Sequence, residues 1–291
     1  MRAAAWDRPR QTSWLTEGGL SKRRGKEKGK RKKEEGIRVR GEGREFPEVV
    51  VDDLSGLQRR LAAELEGRAR RAIEARGRFI IALPGGSVAR AFFPTLAGVE
   101  VDWACTDFFW IDERALPPQD AESNYGLASS LWLTPARVPA SRIHRLRGED
   151  ANLDRAARIA ADELLVVAGN PPRLDLALVG VGEDGHVASI FPERADLGGQ
   201  RDPEPEDQRT VHAHVVPVYD APKPPPRRLT LTMPVLSDAG RVVVVALGRT
   251  KAAAVRDSLE LADGSTPLAD LVRRAQSTLM LLDREAASLS R

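Results

Sequence analysis

Short apolar runs alternate along this chain with longer stretches in which apolar residues recur every three or four positions. The runs at Val49–Val51, Phe79–Leu83, Thr106–Ile111, the one ending at Val181, Leu229–Thr232, Arg241–Leu247 and Thr278–Leu282 are too short for buried helices and rich in β-formers. They predict strands, and continuous runs such as Phe79–Leu83 predict strands covered on both faces. Between them, Leu54, Leu57, Leu61, Leu65, Ala69, Ala72 and Ile73 form one apolar helical stripe, with Asp52 or Asp53 placed to cap it and Gly77 to end it. Further helices are expected over Val88–Phe93, Ser123–Leu133 with Asn124 as a possible cap, Leu153–Val167, from Pro234, from the Gly248–Lys251 turn, and briefly after Leu282. Val211–Val216 alternates as a strand does, with His212 and His214 on one side.

Strands alternating with helices imply an α/β fold, here a single Rossmann-like domain with a mostly parallel, doubly wound sheet over residues 44–291. If the strands are parallel, the turns after Leu83, Ile111, Val181 and Leu247 meet at one edge. Those turns carry the chemistry.

The densest of them lies in Asp175–Pro192, which reads D-L-A-L-V-G-V-G-E-D-G-H-V-A-S-I-F-P. A strand runs into three glycines and the ionisable Glu183, Asp184 and His186, and the end of the stretch looks like the start of a helix. Gly180, Gly182 and Gly185 match G-x-G-x-x-G formally. The match comes late in the chain, lacks a strand-end acid about 20 residues on, and sets Asp184 against the pyrophosphate, so a dinucleotide site is the weaker reading. The stronger reading takes His186 as a general base, with Asp184 or Glu183 setting its tautomer.

After Leu83 come Pro84, Gly85, Gly86 and Ser87, then a helix start. Glycines admit close backbone approach and free N–H groups at a helix N-terminus attract anions, so this turn suits a phosphate; the plain alternative is a tight turn with Ser87 as N-cap. It is not a P-loop, since Gly-Lys-Ser/Thr is missing. Asp112, Glu113 and Arg114 stand at the end of the third predicted strand, and Gly248–Lys251 repeats the strand, glycine turn and helix scheme with cations.

Charge changes the picture in one respect. Of 45 Lys/Arg and 42 Asp/Glu, residues 1–40 hold 14 and 5, leaving 31 against 37 and a net of −6 in the rest. The basicity belongs to a like-charge, glycine-punctuated segment, and residues 1–43 are expected to be a disordered extension. It reads as a dispensable tail or start-site artefact, against a localisation or nucleic-acid patch; no nucleic-acid partner is assigned to the folded part. Residues 193–209 are acidic and proline-containing, hence a surface loop. The lone Cys105 excludes an internal disulfide, and His212 and His214 lack a third ligand, so no metal is assigned. No apolar run approaches the roughly 18–20 residues of a membrane span. A soluble, cytoplasmic and monomeric protein is expected.

In order along residues 44–291, Leu83–Ser87, Phe109–Arg114, Ser123–Tyr125, Gly180–Pro192, Pro224–Thr232 and Gly248–Lys251 resemble the motifs of the 6-phosphogluconolactonases, relatives of the glucosamine-6-phosphate deaminases in one sugar-phosphate superfamily. The resemblance implies a Rossmann-like domain that hydrolyses 6-phosphoglucono-δ-lactone in the oxidative pentose phosphate pathway without a cofactor. It makes His186 the base with Asp184 beside it. It implies that Gly85, Gly86 and Ser87 form the phosphate-side loop, that Arg114, Arg228 and Lys251 hold the phosphate, and that Asp112 and Asn124 belong to the substrate site. Two positions depart from the family: Val88-Ala89 stands where Thr-Pro is usual, and Ile111 where a glycine precedes Asp-Glu-Arg. The sister deaminases carry D-G-H-I-A-F-N-E-P, with an acid five places after the histidine; here that place is Phe191, which favours hydrolysis over isomerisation. The remaining alternative is a non-catalytic relative with a nucleic-acid-binding tail.

Overall fold

The computed structural model describes residues 46–192, 213–260 and 266–290. The basic extension, the acidic loop 193–209, and Val211 and His212 of the expected strand lie outside the described residues.

Six parallel strands form the central sheet. In chain order they are β1 (Glu48–Val51), β2 (Phe79–Leu83), β3 (Thr106–Trp110), β5 (Leu176–Gly180), β8 (Val242–Ala246) and β9 (Thr278–Leu282), and in space β1-β9-β8-β5-β2-β3. Every residue of β2, β3, β8 and β9 is buried, so the sheet is covered on both faces, as the unbroken apolar runs of β2 and β8 require. The covering helices are α1 (Leu54–Arg76), α2 (Gly86–Leu96), α4 (Leu153–Ala168), α6 (Ala252–Glu260) and α7 (Pro267–Arg274), with α3 (Asn124–Ala128) and α5 (Met233–Ser237) as short additions. In α1, Asp53 accepts the N–H of Gly56 at 2.8 Å, and Gly77 closes the helix at φ 73°. Its predicted stripe is buried from Leu57 to Ala72, while Leu54, in the first turn, is 43% exposed.

A second, antiparallel sheet of three strands, β4 (Asp112–Arg114), β7 (Arg228–Leu231) and β6 (Val215–Val218), stands at the end of β3. The charges expected at a strand end therefore lie in a strand of their own, too short and too polar to show as an apolar run. Ile111 is the joint: its N–H donates to Leu83 O of the first sheet and its carbonyl accepts from Leu231 of the second. Its φ is negative, so no glycine is needed there.

Several local expectations are corrected. The end of the Asp175–Pro192 stretch is a turn with bridges Val181–Val187 and Val187–Ile190 rather than a helix start, because Ala188 takes φ 51° and reverses the chain. Ser123, not Asn124, caps α3, accepting from Gly126 N, and the helix continues through a π-helical turn over Ser129–Leu133. β6 begins after His214, so the alternation read for that strand is not realised across it. The segment after Leu282 is a series of turns on Asp283 rather than a helix. Helix α7, unread in the sequence, starts at the N-cap Thr266.

At the edge of the sheet away from the strand carboxyl ends, Asp107 is buried and holds His144 Nε2 at 3.0 Å and Arg142 Nη1 at 3.3 Å, while His144 Nδ1 meets Glu163 at 2.7 Å. The His144 ring stacks on Phe109 at 4.6 Å. Burial alone would lower the pKa of His144, but its bonds to Asp107 and Glu163 outweigh that and raise it to about 9. A histidine raised in the folded state stabilises fully below its unfolded pKa of about 6.5, and the contribution is lost as pH climbs through 9. Thermal unfolding at pH 6, 8 and 10 should therefore show a falling Tm that is markedly flatter in His144→Gln; identical slopes for the two proteins would refute this.

Candidate active site

The connections of β2 and β5 leave in opposite directions: β2 leads outward to β3, while β5 leads the other way to β8. Neighbouring strands whose connections diverge leave a crevice beyond their carboxyl ends, where open α/β sheets bind ligands. An open cleft lies there, lined by residues from the turns after β2, β3, β5 and β8. The parallel register brings together what the sequence predicted. Of the ten candidate residues, Gly85, Gly86, Ser87, Asp112, Arg114, Asn124, His186, Arg228 and Lys251 all line this cleft, with Asp184 immediately behind His186.

On the β2 side, α2 begins at Gly86 with Gly85 as N-cap and no side-chain cap bond. Ser87 is thus the second helical residue rather than the cap. The N–H groups of the first turn have no intrahelical acceptor and face the cleft, which suits an anion. Val88, in place of the family hydroxyl, is buried, and a methyl group on Gly180 would sit 3.1 Å from its Cγ2. That contact packs the start of α2 against the end of β5.

On the β5 side the turn folds back so tightly that Gly182 N donates to His186 O at 2.9 Å. The imidazole lies directly over Gly182, where a Cβ would fall 1.9 Å from Nδ1, so a side chain there would displace the imidazole. Gly185, at φ 79°, accepts the N–H of Leu268 at 2.9 Å, so the first turn of α7 braces the loop. His186 Nδ1 meets Asp184 Oδ1 at 2.5 Å. A carboxylate only accepts, so the proton sits on Nδ1 and Nε2 keeps its lone pair. The ring packs on Phe191 at 4.6 Å, and Phe191 is buried beneath the Arg228 guanidinium, 5.6 Å from its ring. Burial lowers the pKa of His186, outweighing the opposing pull of Asp184. Burial pushes the Asp184 carboxyl up, but its bond to His186 outweighs this and holds it below the usual range. The result is a neutral base beside an ionised carboxylate.

The cations line the same cleft, with Lys251 Nζ 3.9 Å from Glu183 of the His186 turn. β4 and β7 pair Arg114 directly with Arg228, an arrangement that repels unless an anion lies between them. Arg228 is 4% exposed; it donates to the carbonyls of Lys223, Pro224 and Pro225, and burial lowers its pKa with Arg114 adding to the effect. Lys251, its turn fixed by Gly248 N donating to Asp283 at 2.8 Å, is likewise lowered by burial. Lys223, not singled out in the sequence, brings Nζ to 3.6 Å from Asp184. Its position in a proline-rich loop gave no signal, because only the fold carries that loop over the β5 turn. Glu113 is engaged structurally, accepting the N–H groups of Arg114, Asn124 and Tyr125 at 2.7–2.8 Å.

The family model described as glucosamine-6-phosphate isomerases/6-phosphogluconolactonase matches residues 52–281. The 6-phosphogluconolactonase of Mycobacterium tuberculosis is 35% identical over 228 residues, covering 75% of this chain and 87% of that protein. That of Streptomyces coelicolor is 34% identical over 256 residues, covering 83% and 94%. Among solved structures, the 6-phosphogluconolactonase of Trypanosoma brucei superposes with a TM-score of 0.68 at 23% identity, over 84% of this chain and 99% of that one, which bears on the fold.

Facing cations with burial-lowered pKa values predict that a bound dianion stabilises the protein. Inorganic phosphate at about 100 times its Kd should raise Tm by roughly 5 °C or more, and Arg228→Gln should remove most of that rise. An unchanged rise in the variant would exclude Arg228 from the anion site.

Proposed function

The chain belongs to the glucosamine-6-phosphate isomerase/6-phosphogluconolactonase family, and we propose that it hydrolyses 6-phosphoglucono-δ-lactone to 6-phosphogluconate, with His186 as general base. The observation that carries this reading is an imidazole tied to Asp184 through Nδ1, in the same cleft as Arg114, Arg228 and Lys251.

A lactone is an activated ester, so the chemistry needs a positioned water and a proton carrier. Nε2 of His186 takes a proton from water as its oxygen bonds to C1, and the carbonyl becomes a tetrahedral oxyanion. Collapse of that intermediate breaks the bond from C1 to the ring oxygen, and the imidazolium returns the proton to the departing oxygen. Atoms balance as water plus lactone giving the open-chain acid, and the histidine ends neutral. Asp184 stabilises the imidazolium and keeps the productive tautomer.

Gly85, Gly86 and Ser87, with Arg114, Arg228 and Lys251, bind the phosphate, while Asp112 and Asn124 flank the sugar between the phosphate and C1. Binding energy at the phosphate, remote from the reacting bond, fixes C1 against the water. The isomerase chemistry of the sister enzymes needs a second proton shuttle near the base. Phe191 fills that place with an apolar ring packed on His186, which supports hydrolysis.

A coupled assay on freshly generated 6-phosphoglucono-δ-lactone, with glucosamine 6-phosphate as control, tests the reading: turnover of the lactone alone is expected, and turnover of the amino sugar alone would overturn it. His186→Ala should lower kcat by roughly 10²-fold or more while leaving phosphate binding nearly intact; full activity would remove His186 from the mechanism. Because burial lowers the pKa of His186 and the neutral form is the base, the acid limb of kcat/KM should be centred below pH 6.5. An acid limb centred above 6.5 contradicts the assignment.

A further inference from the structure

Three buried polar side chains connect the turn that carries His186 to the loop at the phosphate end. Ser189, three residues after the base, is fully buried and donates from Oγ to Asp112 Oδ2 at 2.7 Å. Asp112, 6% exposed, accepts at Oδ1 from Asn124 Nδ2 at 3.1 Å, and the same amide reaches the Asp112 carbonyl at 3.0 Å. Asn124 is 2% exposed; its Oδ1 has no hydrogen-bond partner among the described residues and lies against Gly85, where a Cβ would come within 1.6 Å of it. The chain of contacts thus runs from the His186 turn, through Asp112 on β4, to the residue that caps α2.

We propose that Ser189, Asp112 and Asn124 form a positioning bridge that fixes the distance between the catalytic base and the phosphate-binding loop, so that phosphate bound at one end sets C1 against the base at the other. This rests on the reading of His186 as base and of Gly85–Ser87 as the phosphate loop. Two features favour a bridge over incidental packing. Ala188, between His186 and Ser189, sits at φ 51°, a conformation costly for a non-glycine residue that surrounding contacts must hold. Ser189 supplies those contacts at both its atoms, N–H to Thr230 Oγ1 at 3.3 Å and Oγ to Asp112. Furthermore, Arg228 Nη1 lies 3.4 Å from Ser189 Oγ and 3.9 Å from Asp112 Oδ2, so a phosphate-binding cation touches the bridge at its middle. A buried carboxylate and amide stabilise the fold only while mutually satisfied, which makes the three residues act as a unit.

The test is a double-mutant cycle on the full-length protein with Ser189→Ala, Asn124→Ala and the pair. Asn124 lies against Gly85 of the phosphate-side loop, yet its variant should lose roughly tenfold to a hundredfold in kcat, a larger change than its rise in KM. The pair should lose no more than about threefold beyond the worse single variant, because one broken link already opens the bridge. Multiplicative losses, or an Asn124→Ala variant altered in KM alone, would overturn the proposal. If either variant fails to fold, Asp112→Ala removes both side-chain acceptors at the centre of the bridge and should reproduce the kcat loss. A wild type inactive on the lactone would defeat the functional reading but not the bridge: the cycle is then read on the phosphate-induced Tm rise, where additive effects count against it and non-additive effects support it.

Discussion

Parallel strands whose connections diverge cannot close the space above their carboxyl ends, and this constraint at β2 and β5 governs the rest of the molecule. The turns after these two strands face each other across the gap, and the neighbouring turns after β3 and β8 complete its rim. Each turn therefore needs backbone shapes that leave the gap open. Gly182 gives the imidazole a surface to lie on, and Gly85 gives Asn124 room. Where the backbone runs without positive φ, as at Ile111, a bulky residue serves equally well and joins the two sheets.

Electrostatics sets the character of the cleft. Antiparallel pairing sets Arg114 opposite Arg228, and burial adds to the cost of keeping Arg228 and Lys251 charged, a cost that an anion offsets. Burial against Phe191 favours the neutral form of His186, and Asp184 engages its Nδ1. Cations suited to an anion and an imidazole suited to proton transfer thus share one cleft, Arg228 meeting the same Phe191 ring that His186 packs on. The short antiparallel sheet is what places them, since it supplies Asp112, Arg114 and Arg228 from β4 and β7.

Much of this was legible along the chain. Buried strands announce themselves because a sheet covered on both faces favours apolar residues, so Phe79–Leu83 and Val242–Ala246 fell within a residue of their observed limits. The stripe of α1 and its caps followed from helical periodicity. Elements stabilised by distant partners were less visible: β4 is three charged residues held by β7, and α7 is a short helix docked on Gly185. The reversal after His186 was read as a helix start, because Ala188 carries no mark of its positive φ.

The candidate site divides along the same line. Residue types and spacing within single turns fixed the strand-to-helix turn at Gly85–Ser87 and the nearness of Asp184 to His186, since two residues apart in a tight turn leaves little freedom. Long-range pairing decided that Arg114 faces Arg228, that Lys223 reaches Asp184, that Ser189 meets Asp112 across 77 residues of chain, and that Asn124 seals Gly85 rather than capping its helix. Local chemistry is written in neighbouring residues, whereas which turns become neighbours depends on strand order, a property of the whole sheet.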